Sequence, residues 1–84
     1  MDAHASHITV TVKRTGALKK PDDLPEEKFS LREGSSVDDL LDAMRFEQAH
    51  KRFINISVGN QSVNRWYKLK DGDEVVLFLP VGGG

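Results

Sequence analysis

A single amphipathic helix in a chain otherwise patterned for strands is the feature that most restricts what these residues can build. Val37, Leu40, Leu41 and Met44 fall at i, i+3, i+4 and i+7 and make one apolar stripe. Ser36 is a good N-cap, and Asp39 three residues later completes a capping-box-like pair at the positive end of the helix dipole. Asp38, Asp39 and Asp42 read as the solvated side. His50, Lys51 and Arg52 follow, where positive charge suits a helix end. One such stripe must be buried, and the rest of the chain offers a sheet to cover.

The strands show in period-two alternation. Ile8, Val10 and Val12 alternate with Thr9, Thr11 and Lys13, and Phe29 and Leu31 with Ser30 and Arg32 up to Gly34. Residues 1–7 read as a flexible lead-in, and 15–27, with Gly16, Pro21 and Pro25 among charges, as a loop. Beyond the helix, Ile54, Ile56 and Val58 predict a third strand. Gly59-Asn60 predicts a tight turn into a short strand at Gln61–Val63. Leu69 anchors the connector that follows, with Trp66-Tyr67 as lid of a thin core. Asp71-Gly72-Asp73 is a strong turn signal that launches Glu74–Leu79, the most apolar strand, and Pro80 stops it. The expected fold is one α+β domain over residues 1–84. It has a mixed four- to five-stranded sheet with one main helix on one face, the last strand beside the first, and an extended glycine tail at 81–84.

Composition narrows the function. Of the 84 residues, 38% are apolar and 30% charged, which suits a globular domain. Twelve basic side chains nearly cancel thirteen acidic ones, so no nucleic-acid partner is expected. No apolar run approaches the ~20 residues of a membrane helix. The polar start lacks the apolar core of a secretory signal, so the expected location is cytoplasmic. Cysteine is absent, which removes disulfides, thiolate zinc sites and a nucleophilic thiol together. His4, His7 and His50 have no partners at metal-ligand spacing, and no metal or bound cofactor is expected. No phosphate-binding loop or Ser-His-Asp arrangement is present, and Lys13, Arg14, Lys19 and Lys20 read as a small basic zone in a solvated loop.

The end of the chain is more specific. Leu69-Lys70-Asp71-Gly72-Asp73-Glu74-Val75, an apolar strand, then Pro80-Val81-Gly82-Gly83-Gly84 resembles the MoaD/ThiS family of sulfur carriers, prokaryotic relatives of ubiquitin. The resemblance implies the β-grasp fold and a non-catalytic carrier. An E1-like adenylating enzyme would activate the Gly84 carboxylate with ATP. A sulfur donor would then displace AMP to leave a thiocarboxylate. A sulfur-acceptor enzyme, of the type of the large subunit of molybdopterin synthase or of thiazole synthase, would consume it. Val81, Gly82 and Gly83 would thread the partner's active site. Physical chemistry agrees with that role. A terminal carboxylate with a pKa of about 3.3–3.7 is ionised at neutral pH. Glycine lets backbone approach closely, and four extended residues beyond Pro80 reach roughly 13–14 Å.

The strand before the tail, Val75 to Leu79, is apolar on both faces, and a single helix covers only one. Val76 and Phe78, with Pro80, are the expected partner-docking surface; a strand buried on both sides is the competing reading. Several residues depart from the family pattern. The first loop is long for ThiS, which leans towards MoaD, yet the first strand lacks an aromatic residue, a single proline precedes the tail, and Trp66-Tyr67 replaces small or polar residues. The acceptor therefore stays open: molybdopterin first, thiamin thiazole next, or a thiolated tRNA or other metabolite. A protein modifier joined through Gly84 and an inert interaction subunit are the alternatives.

Overall fold

Ser36 caps the main helix as its spacing from Asp39 predicts. Its hydroxyl accepts from the Asp39 N–H at 3.2 Å, and its own N–H donates to Asp39 Oδ2 at 2.9 Å. The computed structural model in which this is seen describes residues 6–16, 18 and 26–80. The helix, α1, spans Val37–Ala43 and stops sooner than the stripe suggests. Arg45 takes a left-handed conformation (φ 68°). The Phe46 N–H reaches back to the Leu41 carbonyl at 3.0 Å and the Arg45 N–H to Asp42 at 2.9 Å. These are the two bonds of a Schellman cap, built here on arginine where glycine is usual. His50 and Lys51 therefore belong to a separate turn, α2 (Gln48–Lys51), and Arg52 is its C-cap; they do not end the main helix.

Five strands form the sheet: β1 His7–Gly16, β2 Glu27–Arg32, β3 Asn55–Val58, β4 Gln61–Val63 and β5 Glu74–Leu79. Their order is β2-β1-β5-β3-β4, with β1 and β5 parallel and the other neighbours antiparallel. Both ends of β1 differ from expectation because backbone pairing, not side-chain pattern, sets them. His7 is already paired with Arg32, so the lead-in ends before it. Gly16 still pairs with Leu79, inside the expected loop. Gly59 and Asn60 both have positive φ (58° and 70°), as a two-residue primed hairpin turn requires.

Val37, Leu40 and Leu41 on α1 are fully buried, and so are Val10, Val12, Val75 and Leu77 on the two central strands; Leu69 joins this core. The connector from Arg65 to Leu69 does more than fill space. The carbonyls of Tyr67 and Arg65 accept from the N–H groups of Val37 and Asp38 at 2.9 and 2.8 Å, satisfying donors that the first helical turn leaves free. The lid reading holds for Tyr67, half-buried against the core, but not for Trp66, which is 61% exposed. The connector's backbone faces the helix at Arg65 and Tyr67, and the residue between them turns outward. This is the β-grasp arrangement, α+β. No helix among the described residues is long and apolar enough to cross a membrane.

Candidate functional site at the root of the tail

The tail leaves from β5, the strand in the middle of the sheet. Strand alternation sends Val75 and Leu77 into the core with α1, each with no exposed surface. It sends Val76 and Phe78 to the opposite face, Val76 half-buried and Phe78 41% exposed. Val76 stands in register between Lys13 and Ser57, and Phe78 between Thr15 and Asn55. Pro80 is exposed directly beyond them. Val76 and Phe78 thus occupy consecutive outward positions of β5, and Pro80 is exposed just past the strand's end. Val81, Gly82, Gly83 and Gly84 lie outside the described residues.

The backbone around this root is tied down at both ends of β5. At the start, the Gly72 N–H donates to the Thr9 carbonyl at 2.8 Å, and the Thr9 N–H donates to Asp71 Oδ1 at 2.7 Å. Asp73 accepts from the Lys70 N–H through Oδ2 at 2.8 Å. The Asp-Gly-Asp motif is therefore a clamp: one carboxylate holds β1, the other closes its own turn, and Gly72 supplies the positive φ of 87°. At the far end, the Thr15 hydroxyl donates to the Leu77 carbonyl at 2.9 Å. Gly16 lies so close to β5 that a Cβ there would meet the Leu79 carbonyl oxygen at 2.1 Å. A pocket of about 240 Å³ opens on the helix side of this end, lined by Leu18, Phe46, His50, Phe53, Ile54 and Leu79.

Sequence reasoning missed Lys51. Its side chain has no exposed surface, and its ammonium donates to Asp38 Oδ1 at 3.0 Å and to Asp42 Oδ1. Hydrogen bonding to Asp42 holds it above the ordinary lysine value of 10.5, against the opposing effect of burial, with Asp38 adding to the rise. Asp42 is itself half exposed, so the ammonium lies just beneath the surface under its two carboxylates. The acidic face of α1 is thus only partly solvated. Asp39 caps, while Asp38 and Asp42, one turn apart, grip α2. Two acids at i and i+4 with an unexplained lysine nearby were the available signal.

The basic zone on β1 is paired as well, Lys13 with Glu26 at 3.6 Å and Arg14 Nε with Glu27 at 2.9 Å; Lys19 and Lys20 lie outside the described residues. His7 and His50 are exposed and far apart in the fold, and His4 lies outside the described residues. Among the described residues no three His, Cys, Asp or Glu side chains gather as a metal site would require.

Three solved structures of similar fold put this geometry in context. Subunit 1 of a molybdopterin converting factor from Pyrococcus furiosus, so described provisionally, is 28% identical over 87% of this chain and 98% of its own, with a TM-score of 0.70. The small archaeal modifier protein 1 of Methanosarcina acetivorans is 25% identical over 94% and 99%, with a TM-score of 0.67. A molybdopterin-converting factor of Helicobacter pylori, solved as a complex of its subunits 1 and 2, is 25% identical over 92% and 100%, with a TM-score of 0.56. No curated protein sequence matches the chain. The ThiS family profile matches residues 15–84, which takes in both the Asp-Gly-Asp clamp and the terminal glycines. The chain belongs to the ThiS family.

Proposed function

We propose that this chain is a sulfur carrier whose working group is the carboxylate of Gly84. The observation that carries the reading is the family match, which extends from Thr15, near the end of β1, to Gly84. In the proposed cycle an E1-like enzyme joins the carboxylate to AMP from ATP and releases pyrophosphate. A hydrosulfide-equivalent donor then attacks the acyl carbon. The new C–S bond replaces the C–O bond to AMP, and the glycyl thiocarboxylate is the carried form. The chain itself supplies no catalytic side chain. It holds the tail root still through the ties at Thr9, Thr15 and Gly16, and it offers Val76, Phe78 and Pro80 to the partner. The protein acts in the cytoplasm, as a substrate for other enzymes. The acceptor is an enzyme of the molybdopterin-synthase large-subunit type, a choice supported by the two-subunit Helicobacter pylori complex.

The direct test is to incubate the protein with ATP, a sulfur donor and the adenylating enzyme of the same cell, then measure intact mass. The expected result is replacement of one oxygen by sulfur, mapped to Gly84, and none after deletion of Gly83 and Gly84. Unaltered activation of the truncated protein would overturn the proposal. The similarity to a small archaeal modifier protein favours one second reading, conjugation of Gly84 to lysines of other proteins. Isopeptide-linked adducts recovered from cells would select it.

A further inference from the structure

Away from the tail, a depression of about 290 Å³ opens between the turn that enters β3 and the turn that leaves β4. Arg52, Asn55, Ser62, Asn64, Arg65 and Trp66 line its polar side, and no carboxylate is among its described lining residues. Lys51 lies at its floor, but that charge is spent on Asp38 and Asp42. Asp38 also stands 3.8 Å from Arg65 Nη1, at the edge of ion-pair range, while Arg52 forms no ion pair among the described residues. Each arginine lies over the ring that follows it in sequence: Arg52 is 5.0 Å from the Phe53 centroid and Arg65 is 4.9 Å from that of Trp66. Those rings are 57% and 61% exposed. In a chain of formal net charge −1, this places two ring-stacked guanidinium groups around one depression lined without acids.

We infer that this depression docks an acidic segment of a partner protein. Its carboxylates would pair with Arg52 and Arg65, and an apolar side chain of the segment would lie on Trp66. The stacking restrains both guanidinium planes in advance, which lowers the entropy lost when each takes a carboxylate in bidentate fashion. Tryptophan and arginine are among the residue types enriched at the few positions that carry most of the binding energy at protein interfaces. Asn55 and Asn64 add donors and acceptors for the segment's backbone. The inference does not depend on what Gly84 carries, because the site and the tail use different residues.

The test uses the intact, isotope-labelled protein and two end-capped synthetic peptides, one alternating Glu and Phe, the other alternating Lys and Phe. The acidic peptide is expected to shift the Asn55 and Asn64 amides and the Trp66 indole N–H, and to bind more weakly as salt is raised. Substituting Arg52→Glu and Arg65→Glu together should weaken binding by about tenfold or more while leaving the amide spectrum of the core in place. Trp66→Ala, at a side chain the core does not use, should also weaken it, and serves if the double variant misfolds. Equal binding of the lysine peptide would overturn the inference. So would shifts confined to other surfaces, the same shifts from inorganic phosphate alone, or undiminished affinity in the variants.

Discussion

Lys51 is held by two acids from a different helix, and the direction of its shift sets a dependence on pH. Its value in the folded protein lies above the ordinary 10.5. Protonation therefore favours the folded state: the stabilisation is complete below about 10.5 and is lost as pH rises through the folded value. Urea unfolding followed by circular dichroism should show Lys51→Met less stable than the parent at neutral pH. The gap between the two should narrow above pH 10.5. A gap that stays constant with pH would mean that Lys51 contributes through packing of its alkyl stem alone. No sequence period predicts this residue. A lysine reads as solvated by default, and only the fold reveals that the turn after Arg45 brings it back onto Asp38 and Asp42.

At the scale of elements, the turn between α1 and α2 and the reach of the β1–β5 pairing as far as Gly16 were the least legible features, whereas the placing of the last strand beside the first was legible. The helix stripe, Ser36 cap and β5 followed from periodicity and capping, because local rules suffice there. The stop at Arg45 did not, since arginine at a left-handed cap carries no signature. The orientation of β5 was readable only as a choice between two faces; the register with β1 and β3 decides it. Gly16 gives this parallel pairing a sharp test. Gly16→Ala combines left-handed strain (φ +64°) with a 2.1 Å approach to Leu79 O, whereas Gly34→Ala carries strain (φ +89°) with nothing within 4 Å. Both should cost about 1–3 kcal/mol from the dihedral, with Gly16→Ala the more damaging in chemical denaturation. Its amide shifts should centre on Phe78 and Leu79. Equal losses would show that the close approach is relieved cheaply.

For the whole molecule, stability rests on one small core between α1 and the sheet. Leu41 on α1 and Leu77 on β5 are fully buried in it. Leu41→Ala or Leu77→Ala should each cost about 2–5 kcal/mol, a large share of the roughly 5–15 kcal/mol typical of a domain. Calorimetry showing both changes nearly neutral would mean that the core collapses around the loss.

The parallel pairing of β1 with β5 has a consequence for biosynthesis. The first strand finds its inner neighbour only when Glu74–Leu79 has been made, so one row of its backbone N–H and C=O groups stays unpaired until then. A chain interrupted before the Asp-Gly-Asp clamp would present β1 as an open template for aggregation. The domain's central pairing therefore joins residues more than sixty positions apart, the kind of non-local contact that forms late in folding.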